Sequence, residues 1–221
     1  RASLFAAMKR REVYGTSGPR IQVRFFGGFE LSEAICSAPD FAARGYAGGV
    51  PMGGTLGPNQ AGGDRSLSPG DTAPRFAIQA LRDPGGGGVP TTALQRIQVV
   101  KGWLEEGVVK ERVFDVAGDP VSPASVDLGT CTPRGAGFDQ LCSIWTDPDF
   151  DPEAHAFYYA RVIENPSCRW NAWTCLRAGV SCSDPASVPG ELAACCDPSV
   201  PQTIQERAWT SPIWYVPGPA G

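Results

Sequence analysis

Asp147, Asp149 and Asp151 stand at alternate positions in "TDPDFDPEA", a spacing that could turn several carboxylate oxygens toward one hard cation such as calcium. The loop departs from a calcium hand at two positions. Its sixth residue is Pro152 where the hand needs glycine, and its twelfth is Tyr158 where it needs glutamate. The three aspartates are therefore weak metal candidates, and a proline-braced polar turn explains them as well. His155, the single histidine, ends this stretch and could serve a serine as a base. "GTSGP" around Ser17 is not the GxSxG nucleophile elbow, so His155 reads as an exposed loop residue. One histidine also excludes a His-rich metal centre built by this chain alone. The glycine-rich "GVPMGGTLG" and "DPGGGGVP" lack both the GK[ST] ending and the GxGxxG pattern, and read as loops. No catalytic residue is assigned, and no cofactor is expected in this chain.

Cysteine usage says more. Cys36, Cys131, Cys142, Cys168, Cys175, Cys182, Cys195 and Cys196 include no CxxC pair, and the lone histidine completes no zinc motif. Disulfides are preferred over zinc and over free thiols, which implies an oxidising compartment, periplasmic or secreted. Eight cysteines allow 105 pairings. Proximity in sequence favours Cys131–Cys142 and Cys168–Cys175, and the adjacent Cys195 and Cys196 should bond to different partners.

The elements that must position these residues are mostly strands. Gly (27) and Pro (21) are well above the usual combined share of about 12%, so turns should be many and elements short. Residues 1–14 read as a helix with Leu4, Phe5, Met8 and Val13 on one apolar side. "GTSGP" should stop it, with Gly15 as a left-handed cap and Pro19 disfavouring helix at Gly18. "RIQVRFF" and "PRFAIQAL" alternate as strands, with Ile21, Val23 and Phe25, then Phe76, Ile78 and Ala80, on one face. Residues 94–104 and 108–117 read as a hairpin around Glu105-Glu106-Gly107. "AFYYARVIE" should be a central strand and "SPIWYVP" the last one. The expected fold is mainly β: an antiparallel, immunoglobulin-like sandwich with one N-terminal helix and a long disulfide-stapled insertion over 165–207. Residues 27–73 resist assignment, and 82–92 should form a loop.

Trp145, Trp170, Trp173, Trp209 and Trp214 with Tyr158, Tyr159 and Tyr215 make the C-terminal half aromatic. Buried, they fill a core; exposed, they form platforms for sugars. A net charge of −4 leaves no basic footprint for nucleic acid, and no apolar run approaches the ~18 residues of a membrane span.

Five blocks in order, "LFAAMKRREVYGTSGPRIQVRFFGGFEL", "PMGGTL", "VVKGWL", "WTDPDFDPEAHAFYYARVIENPSCRW" and "QERAWTSPIWYVP", resemble the C-terminal part of long bacterial proteins of unknown function. That family looks like a relative of the PHP (polymerase and histidinol phosphatase) metallohydrolases, and is distantly similar to carbaryl-hydrolase-like proteins. The resemblance implies a catalytic barrel N-terminal to Arg1, whose metal-binding His and Asp motifs have no counterpart here. It further implies that residues 1–17 are the last helix of that barrel and 18–217 a C-terminal β-sandwich. Gly18, Pro19 and Arg20 would form the structural junction between them. A divalent metal would belong to the missing domain only, and the partner of this chain would be that barrel or a second chain. The expected function is a non-catalytic accessory sandwich of an exported hydrolase whose small-molecule substrate stays open. The alternatives are a glycan- or protein-binding module and, behind it, an independent serine hydrolase.

Overall fold

The computed structural model describes residues 1–57, 73–86, 91–184 and 188–218. In chain order the elements are α1 (Ala2–Lys9), β1 (Tyr14–Thr16), β2 (Gln22–Gly28), a 3-10 turn (Glu33–Ser37), α2 (Phe41–Gly48), β3 (Val50–Pro51), β4 (Thr55–Leu56), β5 (Arg75–Leu81), β6 (Leu94–Glu105) and β7 (Val108–Gly118). They continue with β8 (Ser125–Asp127), β9 (Thr132–Arg134), β10 (Gln140–Thr146), β11 (Ala156–Glu164), β12 (Ser167–Cys168), α3 (Trp170–Arg177), a second 3-10 turn (Gly190–Cys195), β13 (Thr203–Ile204), β14 (Arg207–Thr210) and β15 (Ile213–Tyr215).

The chain is mainly β, and its sheets are antiparallel except for the short β15–β4 pair. In the larger sheet β11 is central. It pairs with β6 along one edge, and with β15 and then β14 along the other. β7 lies outside β6, β1 outside β14 and β4 outside β15. The smaller sheet runs β10-β5-β2-β3. The alternating residues of both sheets meet in one core: Ile21, Val23, Phe25, Phe76, Ile78 and Ala80 from one side, and Ile97, Val99, Tyr158, Ala160, Val162 and Ala208 from the other. Burying each large apolar side chain there contributes about 1.5–3 kcal/mol. The long hairpin turns over Glu106 and Gly107 alone, both with positive φ, because Glu105 still pairs with Val108.

Three expectations are corrected. Helix α1 ends at Lys9, and the left-handed residue after it is Arg11 (φ 59°); Gly15 sits in β1, paired with Trp209. Residues 14–16 therefore belong to the large sheet, and two further helices, α2 and α3, join the N-terminal one. The disulfides are Cys36–Cys142, Cys131–Cys168, Cys175–Cys195 and Cys182–Cys196. The proximity pairs Cys131–Cys142 and Cys168–Cys175 are not formed. Register explains this: β10 lies against β5, which brings Cys142 to the 3-10 turn that carries Cys36, 106 residues away in sequence. Cys195 and Cys196 do bond to different partners. The stapled segment is not bare loop. It holds β12, α3, a 3-10 turn and β13 between β11 and β14. The expected loop over 82–92 lies partly outside the described residues, as does much of 27–73.

Candidate functional site

Stretches far apart in sequence meet on one flank of the sandwich. Ser211 N donates to Val13 O (3.0 Å), Gly53 N to Pro212 O (3.0 Å) and Trp214 N to Gly54 O (3.1 Å). "EVYGT", "PMGGTL" and "TSPIWY" are thus tied together by their backbones. Gly53 has φ +85°, and a Cβ there would lie 2.2 Å from Arg11 O, so this corner takes only glycine. The Tyr46 hydroxyl donates to Glu12 Oε1, and that bond to a carboxylate raises the phenol's pKa.

This corner holds α1 by its C-terminal linker only. No residue of α1 is buried, and Leu4, Phe5 and Met8 are 71%, 69% and 64% exposed. Of the apolar side expected from sequence, Leu4, Phe5 and Met8 lie on α1 and Val13 lies beyond its end at Lys9, and among the described residues nothing buries the three on the helix. An isolated eight-residue helix is marginal in water.

The aspartate turn closes the same end. The three carboxylates do not converge, and among the described residues no group of His, Cys, Asp and Glu could hold a metal ion. Instead Asp147 Oδ2 pairs with Lys101 Nζ at 2.5 Å and accepts from the Tyr158 hydroxyl at 2.7 Å. Lys101 Nζ also donates to Asp149 O (2.7 Å). Asp149 ion-pairs with Arg112 through its side chain, and Asp151 Oδ1 accepts from Glu153 N (2.8 Å). The lysine and aspartate side chains are 6% and 0% exposed, so this is a buried pair with its hydrogen bonds satisfied. Lys101 lies on β6 opposite Tyr158 on β11, whereas Asp147 follows β10 of the other sheet; the pair pins the two sheets together. Burial, then the Asp147 charge, pushes the Tyr158 phenol up, so it donates and does not act as a base. A cleft of about 420 Å³ opens beside it, between Trp103, Arg112 and Asp151. Sequence reasoning missed Lys101, although a lysine inside the apolar run "VVKGWL" was the available signal.

Before β2, Arg20 N donates to Asp83 Oδ2 (2.7 Å), Gly85 N to Asp83 Oδ1 (2.8 Å) and Arg20 Nη2 to Gly85 O (2.6 Å). The backbone bonds from Arg20 and Gly85 hold the Asp83 carboxyl below the usual range. Gly18 and Pro19 thus lead into a fixed bend before β2. Ser17 sits beside Arg207 and gives its hydroxyl to Glu206, while His155 is exposed at the start of β11. Arg207 pairs with Ile163 at the far end of β11, about 25 Å from His155 at strand rise. The two do not form a nucleophile–base pair.

The aromatic residues divide. Tyr158, Tyr215 and Trp145 join the core, and Tyr215 donates to Pro152 O (2.8 Å). Trp209 and Trp214 point outward from the large sheet, 37% and 41% exposed; Trp170 projects from α3, and Trp173 packs beside the buried Cys131 and Cys168. Where β11 meets the stapled segment, Glu164 is only 2% exposed and its Oε1 has no hydrogen-bond partner. Burial, with the charges of Glu206 and Asp83, pushes its carboxyl up to about 8.

Four disulfides fit an oxidising compartment. Among the described residues no helix is long and apolar enough to cross a membrane. No curated protein and no solved structure matches the chain. The model of DUF3604, described as a protein of unknown function, matches residues 1–217, and the chain belongs to that family.

Proposed function

We propose that the chain is the non-catalytic accessory β-sandwich of an exported, PHP-like metal-dependent hydrolase, docked through α1 against the catalytic barrel. The observation that carries this reading is α1 itself. Its linker is fixed by Ser211, Gly53 and Tyr46, yet Leu4, Phe5 and Met8 stay exposed among the described residues. A helix held in place with its apolar side bare fits a surface that a second folded body covers. The barrel would supply the divalent metal and the activated water that cleaves an ester, amide or phosphoester. This chain would wall one side of that cleft from the periplasm or the cell exterior.

The reading is tested with residues 1–221 and Mn²⁺, Zn²⁺ or Mg²⁺ on p-nitrophenyl phosphate, p-nitrophenyl acetate and an anilide. No turnover above the metal blank is expected, and metal-dependent turnover by this chain alone overturns it. The reading frame upstream of the Arg1 codon is the companion observation, expected to encode a barrel with His and Asp clusters.

A second reading, a glycan- or protein-binding module, is favoured by the outward placement of Trp209 and Trp214 on one sheet face. Module and brace are compatible, since the sheet face and α1 are different surfaces.

A further inference from the structure

We propose that the outward face of the large sheet binds an anionic sugar at Trp209, between Arg161 and Arg207; this rests on the binding-module reading and names its ligand. Alternation along the strands fixes the face. Ala208 and Thr210 on β14, and Ala160 and Val162 on β11, point into the core, so Arg207, Trp209 and Arg161 point out. Register then sets Gly15, Trp209, Arg161, Gln98 and Asp115 side by side across five strands.

The charges on this row are unequal in availability. Asp115 is already taken: Arg96 Nε pairs with it at 3.2 Å, and Gln98 Nε2 donates to it at 2.8 Å. Arg161 gives only its Nε, to Gln98 Oε1 (2.8 Å). Arg207 gives its Nε to Gln205 O (3.2 Å), and its guanidinium carbon lies 5.8 Å from the Trp209 ring centre. Neither arginine has a carboxylate partner among the described residues. Two guanidiniums whose Nη groups have no bonded partner among the described residues, beside an exposed indole, make a local positive spot on a chain of net charge −4. On the opposite flank of Trp209 a Cβ at Gly15 would meet nothing within 4 Å, so the space beside the ring is open.

That combination selects the ligand. A sugar lays its C–H face on an indole, and a carboxylate or sulfate on it takes the bidentate fork of a guanidinium. A peptide strand would need an unpaired edge, but β14 is paired on both sides, by β1 and β11. An extended nucleic acid would need a basic face and a high pI, whereas the sequence pI is about 5.1.

The test is calorimetric titration of the whole chain with tetragalacturonate, a chondroitin sulfate tetrasaccharide and neutral cellotetraose. The two anionic probes separate carboxylate from sulfate as the recognised group. At least one should bind, about tenfold or more tighter than cellotetraose, and weaken between 50 and 500 mM NaCl. Trp209→Ala, Arg161→Gln and Gly15→Val should each weaken that binding by about tenfold or more. Gly15→Val guards against misfolding, because valine suits a strand and the added side chain enters open space. Phe5→Glu on α1 should leave sugar binding unchanged, which separates this site from the docking surface. No binding of either anionic probe, equal binding of cellotetraose, or binding unaltered by both Trp209→Ala and Gly15→Val overturns the proposal.

Discussion

The sandwich and the stapled segment between β11 and β14 are stabilised by opposite means. In the sandwich two sheets bury a continuous apolar layer, and one satisfied ion pair, Lys101–Asp147, ties them at the end. The stapled segment adds only Cys168 and Ala172 to a small buried cluster with Cys131 from outside it, and two of the four disulfides lie wholly inside the segment. A region too small to enclose a core is held by limiting its unfolded freedom. The difference teaches where each kind of damage should act: side-chain burial decides the sandwich, and redox state decides the insertion.

The largest effect should come from the pin. Lys101→Met leaves Asp147 charged and buried with Tyr158 as its remaining side-chain partner, at an expected cost of about 3–5 kcal/mol in urea unfolding. Next, the pair Cys175→Ser and Cys195→Ser opens a 20-residue separation, worth about 3 kcal/mol locally. Hydrogen exchange should then show α3 deprotected while β6 and β11 stay protected. Loss of protection in both regions together would break the comparison.

Glu164 sharpens it, because this carboxyl sits on the boundary. Its folded pKa, about 8, is above its ordinary 4.5, so the fold favours the protonated acid. The stability it lends is fully present below about pH 4.5 and is lost as pH rises through about 8. Glu164→Gln should therefore change the melting temperature little at pH 5 and raise it at pH 9, by an effect on the order of 1–2 kcal/mol. A variant with the same pH profile as the parent contradicts the assignment. The smallest effect is expected at Trp170→Ala, within about 0.5 kcal/mol, since that ring projects into solvent from α3.

The same division governs what could be read in the sequence. The hairpin of β6 and β7 follows from two strand-like runs around Glu105-Glu106-Gly107 and the central place of β11 from its aromatic and β-branched residues, while β2 and β5 follow from alternation, which the core enforces on every second residue. Period-2 patterns carry no information about which cysteines meet. Cys36 and Cys142 are joined because β10 pairs with β5, a long-range register that no local spacing encodes. Helix α2 was hidden for a different reason. Its "FAARGYAG" includes glycines that lower helix propensity, yet a Cβ at Gly45 would lie 2.3 Å from the Phe26 ring. Packing overrides propensity there. Of the aspartates read as a possible cation loop, Asp147 serves a lysine from another strand, and the short β1 and β4 exist only through their partners in the sheet. The exposed side of α1 was legible from Leu4, Phe5 and Met8, because the apolar pattern of a helix is local.

The proposed docking of α1 is tested most directly by hydrogen exchange of its amides, in this chain alone and joined to the barrel proposed to precede it. In the chain alone residues 2–9 should exchange nearly as fast as an unfolded segment, because no residue of the helix is fully buried. Joined to the upstream domain, they should be protected by at least about a hundredfold, and Phe5→Glu should abolish that protection. Strong protection in the isolated monomer, or none in the joined protein, would contradict the account.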